Sequence, residues 1–287
     1  MDIIKEDYWD IVIKPKQKGF NLNLKEVWKY RDLLYMYIHR DFIATYKQTI
    51  LGPLWFFIQP IFSTLIYMVV FGGIAQIPTD GLPQMLFYMA GIICWNYYSD
   101  CLGRCSSTFA ANAGVFSKVY FPRLVVPISG LVSALLRMLI QLFMFFAFYI
   151  YFVIGGSDIS LNWVALLFPL LIFMLAGIGF GVGIIISSIT IKYRDLSILF
   201  SFAIGLLMYI TPVIYPMSAI PEKYQAYKWI IELNPLSSIV EAFRYGFLGT
   251  GSLSWGGLAY SFIFTIVLSV MGIIVFNKVE RRFIDII

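Results

Sequence analysis

Apolar runs of about twenty residues alternate with short basic or aromatic segments along nearly the whole chain, and this pattern predicts an all-α, polytopic integral membrane protein. Six runs qualify as transmembrane helices: residues 55–75, 84–105, 126–154, 163–191, 196–215 and 257–276. Each is long enough for a helix to cross a hydrocarbon core of roughly 30 Å. A further apolar stretch, 235–248, makes a helix of only about fourteen residues, or roughly 21 Å, and cannot cross alone.

The segments between the runs have characters of their own. Residues 25–48 interleave Val27, Trp28, Leu33, Leu34, Tyr37, Ile38, Phe42 and Ile43 with Lys29, Arg31, Arg40 and Lys47. The spacing predicts an amphipathic helix lying in the interface, as a plain anchor or a moving part, with His39 as an ordinary interfacial residue. Residues 112–127, "NAGVFSKVYFPRLVVP", are aromatic and basic, with Phe116, Tyr120 and Phe121 offered outward. They can be a simple connector, but the composition favours a docking surface. "KYRD" at 192–195 reads as a tight charged turn.

Residues 216–256 divide into two helical pieces. In the second, Asn234 is the expected N-cap, Pro235 the first helical residue and Gly249 the C-terminal glycine, while Glu241 and Arg244 are i,i+3 neighbours able to pair. Two half-helices at 218–248 suggest a re-entrant hairpin, or else a hairpin resting on the outer leaflet.

Composition and charge sharpen this picture. Of 287 residues, 60% are hydrophobic and 13% charged, far from soluble norms. Seventeen of the 21 basic residues fall before span one, after span two (with Arg104 at its inner end), after span four or after span six. The positive-inside rule therefore puts both termini in the cytoplasm, and a seventh span at 235–248 would reverse the basic C-terminus. The net charge of +5 is a topology signal, and no basic face remains for nucleic acid. Residues 1–24 form an expected cytoplasmic segment without the apolar core of a signal peptide. Cys94, Cys101 and Cys105 share one apolar run, so neither a disulfide framework nor a metal site is expected.

Inside the spans, Asp100 and Arg104 stand four apart and are expected to neutralise each other; Arg137 is expected to snorkel to the interface. "AGIGFGVG" carries Gly177, Gly179, Gly181 and Gly183, two overlapping small-xxx-small pairs that predict close helix packing. No P-loop sequence occurs. Tyr88, Trp95 and Tyr98 form one helical stripe, which serves either as packing and interfacial belt or, with Trp55, as a surface for stacking sugar rings.

Five stretches, "YKQTILGPLWFFIQP", "VYFPRLVVP", "KYRDL", "TPVIYP" and "LNPLSSIVEAFRYGFLG", occur in this order over the chain after about residue 21. In them the chain resembles the membrane subunit of ABC-type polysaccharide exporters, which move lipid-linked O-antigen, capsular polysaccharide and teichoic acid. The resemblance implies a homodimer in the cell inner membrane, bound to two copies of a cytoplasmic ATPase, with a lipid-linked glycan as substrate and membrane lipids around it. ATP and Mg2+ would belong to that partner; this chain would hold no cofactor and catalyse nothing itself.

The resemblance further implies a six-span permease domain over 49–287, containing a coupling helix at 112–122. Val115, Phe116, Lys118, Val119, Tyr120, Phe121 and Arg123 would meet the ATPase. Residues 25–48 would be a gate helix, with Trp28, Tyr37, Arg40 and Tyr46. Residues 218–248 would be external re-entrant helices, with Asn234, Pro235, Glu241 and Arg244. An exporter of drugs or small lipids shares this architecture. A secondary transporter is disfavoured by the nearly acid-free span centres, and a membrane-embedded enzyme by the single His and the lack of clustered acids.

Overall fold

The computed structural model describes residues 24–286 except Gln48 and Arg194, so the expected segment 1–24 lies almost wholly outside the described residues. Among the described residues all regular structure is helical. In chain order the helices are α1 (Leu24–Lys29), α2 (Arg31–Tyr46), α3 (Trp55–Tyr67), α4 (Gln84–Ser106), α5 (Thr108–Phe116), α6 (Val125–Ile154), α7 (Phe168–Thr190), α8 (Leu196–Ile210), α9 (Lys228–Leu233), α10 (Pro235–Leu248) and α11 (Trp255–Ile286). Helix α3 runs on through π-helical turns to Ile74, and a 3-10 turn, Trp163–Leu167, leads into α7.

Among the described residues four stretches are long and apolar enough to cross a membrane: Trp55–Ile74, Val125–Ile154, Trp163–Thr190 and Trp255–Glu280. Helix α4 has the length, with 23 residues, but carries Asn96, Asp100 and Arg104. Leu86 through Trp95 are all buried in the bundle core, where α4 packs on α6, α7 and α10, and towards its other end Asp100 and Arg104 are half-buried and paired with charges on neighbouring helices.

The alternating glycines of α7 explain the centre of the bundle. Two residues turn a helix by about 200°, so Gly179 and Gly183 share one face and Gly177 and Gly181 the opposite one. A Cβ at Gly179 would lie 3.0 Å from the Tyr98 carbonyl, and one at Gly183 would lie 2.9 Å from that of Leu102, both on α4. A Cβ at Gly181 would lie 2.8 Å from the Leu268 backbone on α11, and one at Gly177 would strike Thr265. Both small-xxx-small pairs therefore serve close packing, one seam on each side of α7.

Span five departs from expectation. Thr211, which precedes Pro212, is extended (φ −84°, ψ 138°), as a pre-proline residue prefers, so α8 stops after fifteen residues at Ile210. No residue of α8 is buried. The first of the two expected half-helices is also broken: residues 217–227 form 3-10 turns, and only Lys228–Leu233 is α-helical, again with no buried residue. Pro216 and Pro221 interrupt the backbone ladder here. By contrast the second half-helix, α10, is buried along most of its length and has its expected caps. Asn234 Oδ1 accepts from the Leu236 N–H (3.1 Å), and Gly249 takes φ +79°.

The glycine seams yield a direct test. Gly181→Ala should cost about 1–3 kcal/mol, since backbone rather than a mobile side chain must give way. Gly103→Ala, with no atom within 4 Å of its Cβ, should be neutral or stabilise by up to about 1 kcal/mol. Thermal unfolding of the purified protein in one detergent compares the two.

Candidate functional site

At the end of the bundle expected to face the cytoplasm, α5 and the turn after it form a ledge. Its seven expected docking residues divide in two. Lys118 is exposed, as are Val115, Val119 and Tyr120, the last at 84%. Phe116, Phe121 and Arg123 are buried and form the support beneath. Ring follows ring in that support: Phe276 stacks on Phe109 (4.7 Å between centroids), Phe109 meets Phe116 (6.0 Å), Phe116 meets Phe121 (5.6 Å) and Phe121 meets Tyr37 of α2 (6.3 Å).

Arg123 closes this support. Its guanidinium lies 5.5 Å from the Phe116 ring, and Nη1 donates to the Glu280 carbonyl at 2.7 Å. Burial lowers its pKa while the Glu280 carboxylate, 3.9 Å away, works in the opposite direction. The ledge is thus tied to the end of α11 and, through Tyr37, to α2.

Val27 of α1, Tyr30 between the two helices, and Leu34 and Tyr37 of α2 turn towards this core. Burial raises the Tyr37 pKa, opposed by the Arg40 cation 4.4 Å from its ring. The other side of α2 is less basic than the sequence pattern suggested: Tyr35, Met36 and Ile43 are exposed there beside Arg31 and Arg40, and Trp28 and Lys29 are exposed on α1. A helix with protein on one flank and an apolar outer flank has no clean polar face. The side chain of Tyr46 lies outside the described residues.

The expected Asp100 with Arg104 pair does not form. Arg104 Nη1 instead reaches Asp41 Oδ2 on α2 (2.9 Å), and Asp100 Oδ2 pairs with Arg137 Nη1 on α6 (3.3 Å), so Arg137 is a cross-helix tie. Helical spacing identifies possible partners on one helix and is blind to closer ones on its neighbours. Gly130 of α6 makes room for the Arg104 stem, 3.0 Å from its would-be Cβ.

Three of the four aromatic candidates for a sugar-stacking path are interior: Tyr88, Trp95 and Tyr98 are each at most 8% exposed. Trp95 and Tyr98 pack on each other at 5.5 Å, while Tyr88 meets the edges of Phe87 and Tyr67. Only Trp55 is exposed.

At the opposite end, α10 holds the broken backbone after α8. Arg244, 1% exposed, donates through Nη1 to the Pro212 carbonyl (2.6 Å) and through Nη2 to that of Val213 (2.5 Å). Its Nη1 also lies 3.3 Å from Glu241 Oε1, and its guanidinium sits 3.8 Å from the Phe87 ring. Glu241 Oε2 in turn accepts from the Ser252 N–H at 3.2 Å. Asn234 Nδ2 donates to Thr211 Oγ1 at 2.9 Å, so the cap of α10 and the break in span five share one contact.

Pairing of Glu241 with Arg244 was visible from spacing, but the carbonyl cluster that Arg244 serves was not. Nor was Gly91 on α4, where a Cβ would lie 2.7 Å from Arg244 Nη2. An arginine i,i+3 from an acid and following a Thr-Pro break by about thirty residues offers only a faint signal of such a role.

The geometry defines a multi-pass, all-helical membrane protein with an exposed ledge at one end and a buried, ion-paired helix at the other. The chain belongs to the ABC-2 type transporter family, whose pattern matches residues 32–248. It is similar to an O-antigen export system permease protein, RfbA, of Klebsiella pneumoniae, with 32% identity covering 89% of this chain and 95% of the relative. The protein of that name from Myxococcus xanthus is 27% identical over 77% of this chain and 82% of its own length. The polysialic acid transport protein KpsM of Escherichia coli is 26% identical over 80% and 87%.

Replacing Arg244 tests the buried helix. Arg244→Leu should cost roughly 3–5 kcal/mol, because Glu241 and the Pro212 and Val213 carbonyls lose their donor in a buried site. Arg244→Lys should recover only part of it, since an ammonium lacks the guanidinium fork. The yield and melting temperature of folded protein in detergent report both.

Proposed function

We propose that this chain is the membrane-spanning permease of an ABC exporter that moves a lipid-linked polysaccharide, O-antigen-like in kind, across the cytoplasmic membrane. The observation that carries the reading is the ledge: four exposed side chains stand on a fully packed aromatic support inside a chain of this family. A second protein that pushes on Val115, Lys118, Val119 and Tyr120 meets a surface that cannot yield locally, so the push passes along the rings to α2. The partner is a cytoplasmic ATPase in two copies, with ATP and Mg2+ bound there. This chain supplies no catalytic group.

Six crossings with both termini inside fit this role. Helix α4 makes the second, shielded by protein. Helix α8 makes the fifth together with residues 211–216, whose irregular backbone is acceptable at depth because Arg244 satisfies it. Residues 218–248 then enter and leave on the external side, with α10 as the deep arm.

Exposed apolar faces support a homodimer. Helix α8 presents Ile198, Leu199, Phe202, Leu206 and Tyr209, and α3 presents Phe62 and Ile66. A second copy would cover part of them, and the glycan would pass along the seam, near Trp55, with Tyr88, Trp95 and Tyr98 packed behind it. An apolar groove of about 530 Å³ between α2, α3 and α6, lined by Ile38, His39, Phe42 and Leu139, suits the lipid moiety of the substrate.

Deleting the gene for this chain should leave glycan inside the cell and none on its surface; surface glycan at the parental level would overturn the reading. Val119→Asp and Tyr120→Ala should reduce co-purification of the ATPase by about tenfold, without changing the melting temperature of the permease. For topology, a cysteine replacing Tyr120 should react with impermeant thiol reagents only from the inside, and one replacing Tyr224 only from the outside.

A further inference from the structure

A second cavity, of about 620 Å³, opens between α9, the first turns of α10, the 249–254 loop and the start of α11. Its volume is in the range of small-ligand sites. Its charges cancel locally. Lys228 Nζ pairs with Glu232 Oε1 at 3.2 Å, and Glu241 is held by Arg244. A site of this kind gives no net attraction to a phosphate or a cation.

What remains unmatched is a hydroxyl. Ser237 lines the cavity and is 3% exposed, and its Oγ has no hydrogen-bond partner among the described residues. That oxygen is itself almost wholly buried, so the hydroxyl within reach of an occupant is the neighbouring one of Ser254. The Ser254 Oγ accepts from the Gly257 N–H at 3.1 Å and can still donate. Gly257 itself allows α11 to close on Ser238, since a Cβ would strike the Ser238 Oγ.

Two aromatic rings complete the wall. Trp229, 59% exposed, extends from α9. Tyr260 on α11 is fixed by its hydroxyl, which donates to the Leu233 carbonyl at 3.1 Å. Flat rings beside neutral hydroxyls match the C–H faces and hydroxyl edges of a pyranose.

We infer that this cavity is a binding subsite for a neutral saccharide unit, which the emerging glycan occupies as it leaves the bundle. The inference rests on the export reading above. A unit held here would resist slipping back between strokes of the transporter, because its hydroxyls would have to give up Ser254 and its ring the Trp229 face.

The test uses intact cells carrying the full chain and its ATPase. Trp229 is replaced by the photoreactive amino acid p-benzoylphenylalanine, as is the exposed Tyr224 outside the cavity in a control. Irradiation should attach glycan to the chain from position 229 and not from 224, seen as a carbohydrate-positive ladder above the protein band. Trp229→Ala should slow the appearance of surface glycan roughly three- to tenfold while the chain accumulates to its normal level.

A product at 229 that is phospholipid or a second copy of this chain overturns the assignment. So does the absence of any product when Trp229→Ala exports at the parental rate. If the deletion strain lacks surface glycan while position 229 captures none and Trp229→Ala is silent, the subsite fails and the export reading stands. A deletion strain that still displays the glycan overturns both.

Discussion

A backbone break inside a membrane bundle needs hydrogen-bond donors from elsewhere, and in this protein one arginine provides them. Pro212 ends the helical ladder after Ile210 and frees the carbonyls of Pro212 and Val213. Arg244 answers with two N–H groups from a helix thirty residues further on. Several features depend on that one contact. Gly91 must lack a Cβ to let the guanidinium past, and Glu241 is the acidic partner of a cation with almost no solvent contact. The Asn234 cap, bonded to Thr211, then sets where α10 begins. A helix too short to cross becomes the most deeply committed part of its half of the molecule.

The other half is organised by rings instead of charges. From Phe276 to Tyr37, five aromatic side chains make a continuous path between the end of α11, the ledge and α2, with Arg123 and Arg40 lying over its rings. Close-packed aromatic groups cannot be compressed by a fraction of an ångström without cost, so displacement at one end is transmitted and not absorbed. Asp41 with Arg104 adds a shorter strut from α2 to α4.

Much of this was legible beforehand, and the failures share a cause. Helix positions, the α10 caps and the two glycine seams follow from local rules of period, capping and residue size. The pairings of Arg104 and Arg137 do not, because a one-dimensional spacing rule offers Asp100 to Arg104 and says nothing of Asp41. The same limitation left Tyr88, Trp95 and Tyr98 open to either packing or sugar stacking: a stripe on a helix is visible in sequence, but which neighbour covers it is not. Span five looked longer than α8 because hydropathy counts apolar residues without registering that Thr211 must be extended before Pro212.

Helix α7 carries one further implication. With a tight seam on each flank, to α4 through Gly179 and Gly183 and to α11 through Gly177 and Gly181, three helices form a single stator. Sliding any one of them would drive backbone into backbone on one side or the other. Among the described residues α2, α3 and α8 have no backbone-to-backbone glycine seam of this kind, so side chains rather than close-set backbones hold them to this frame.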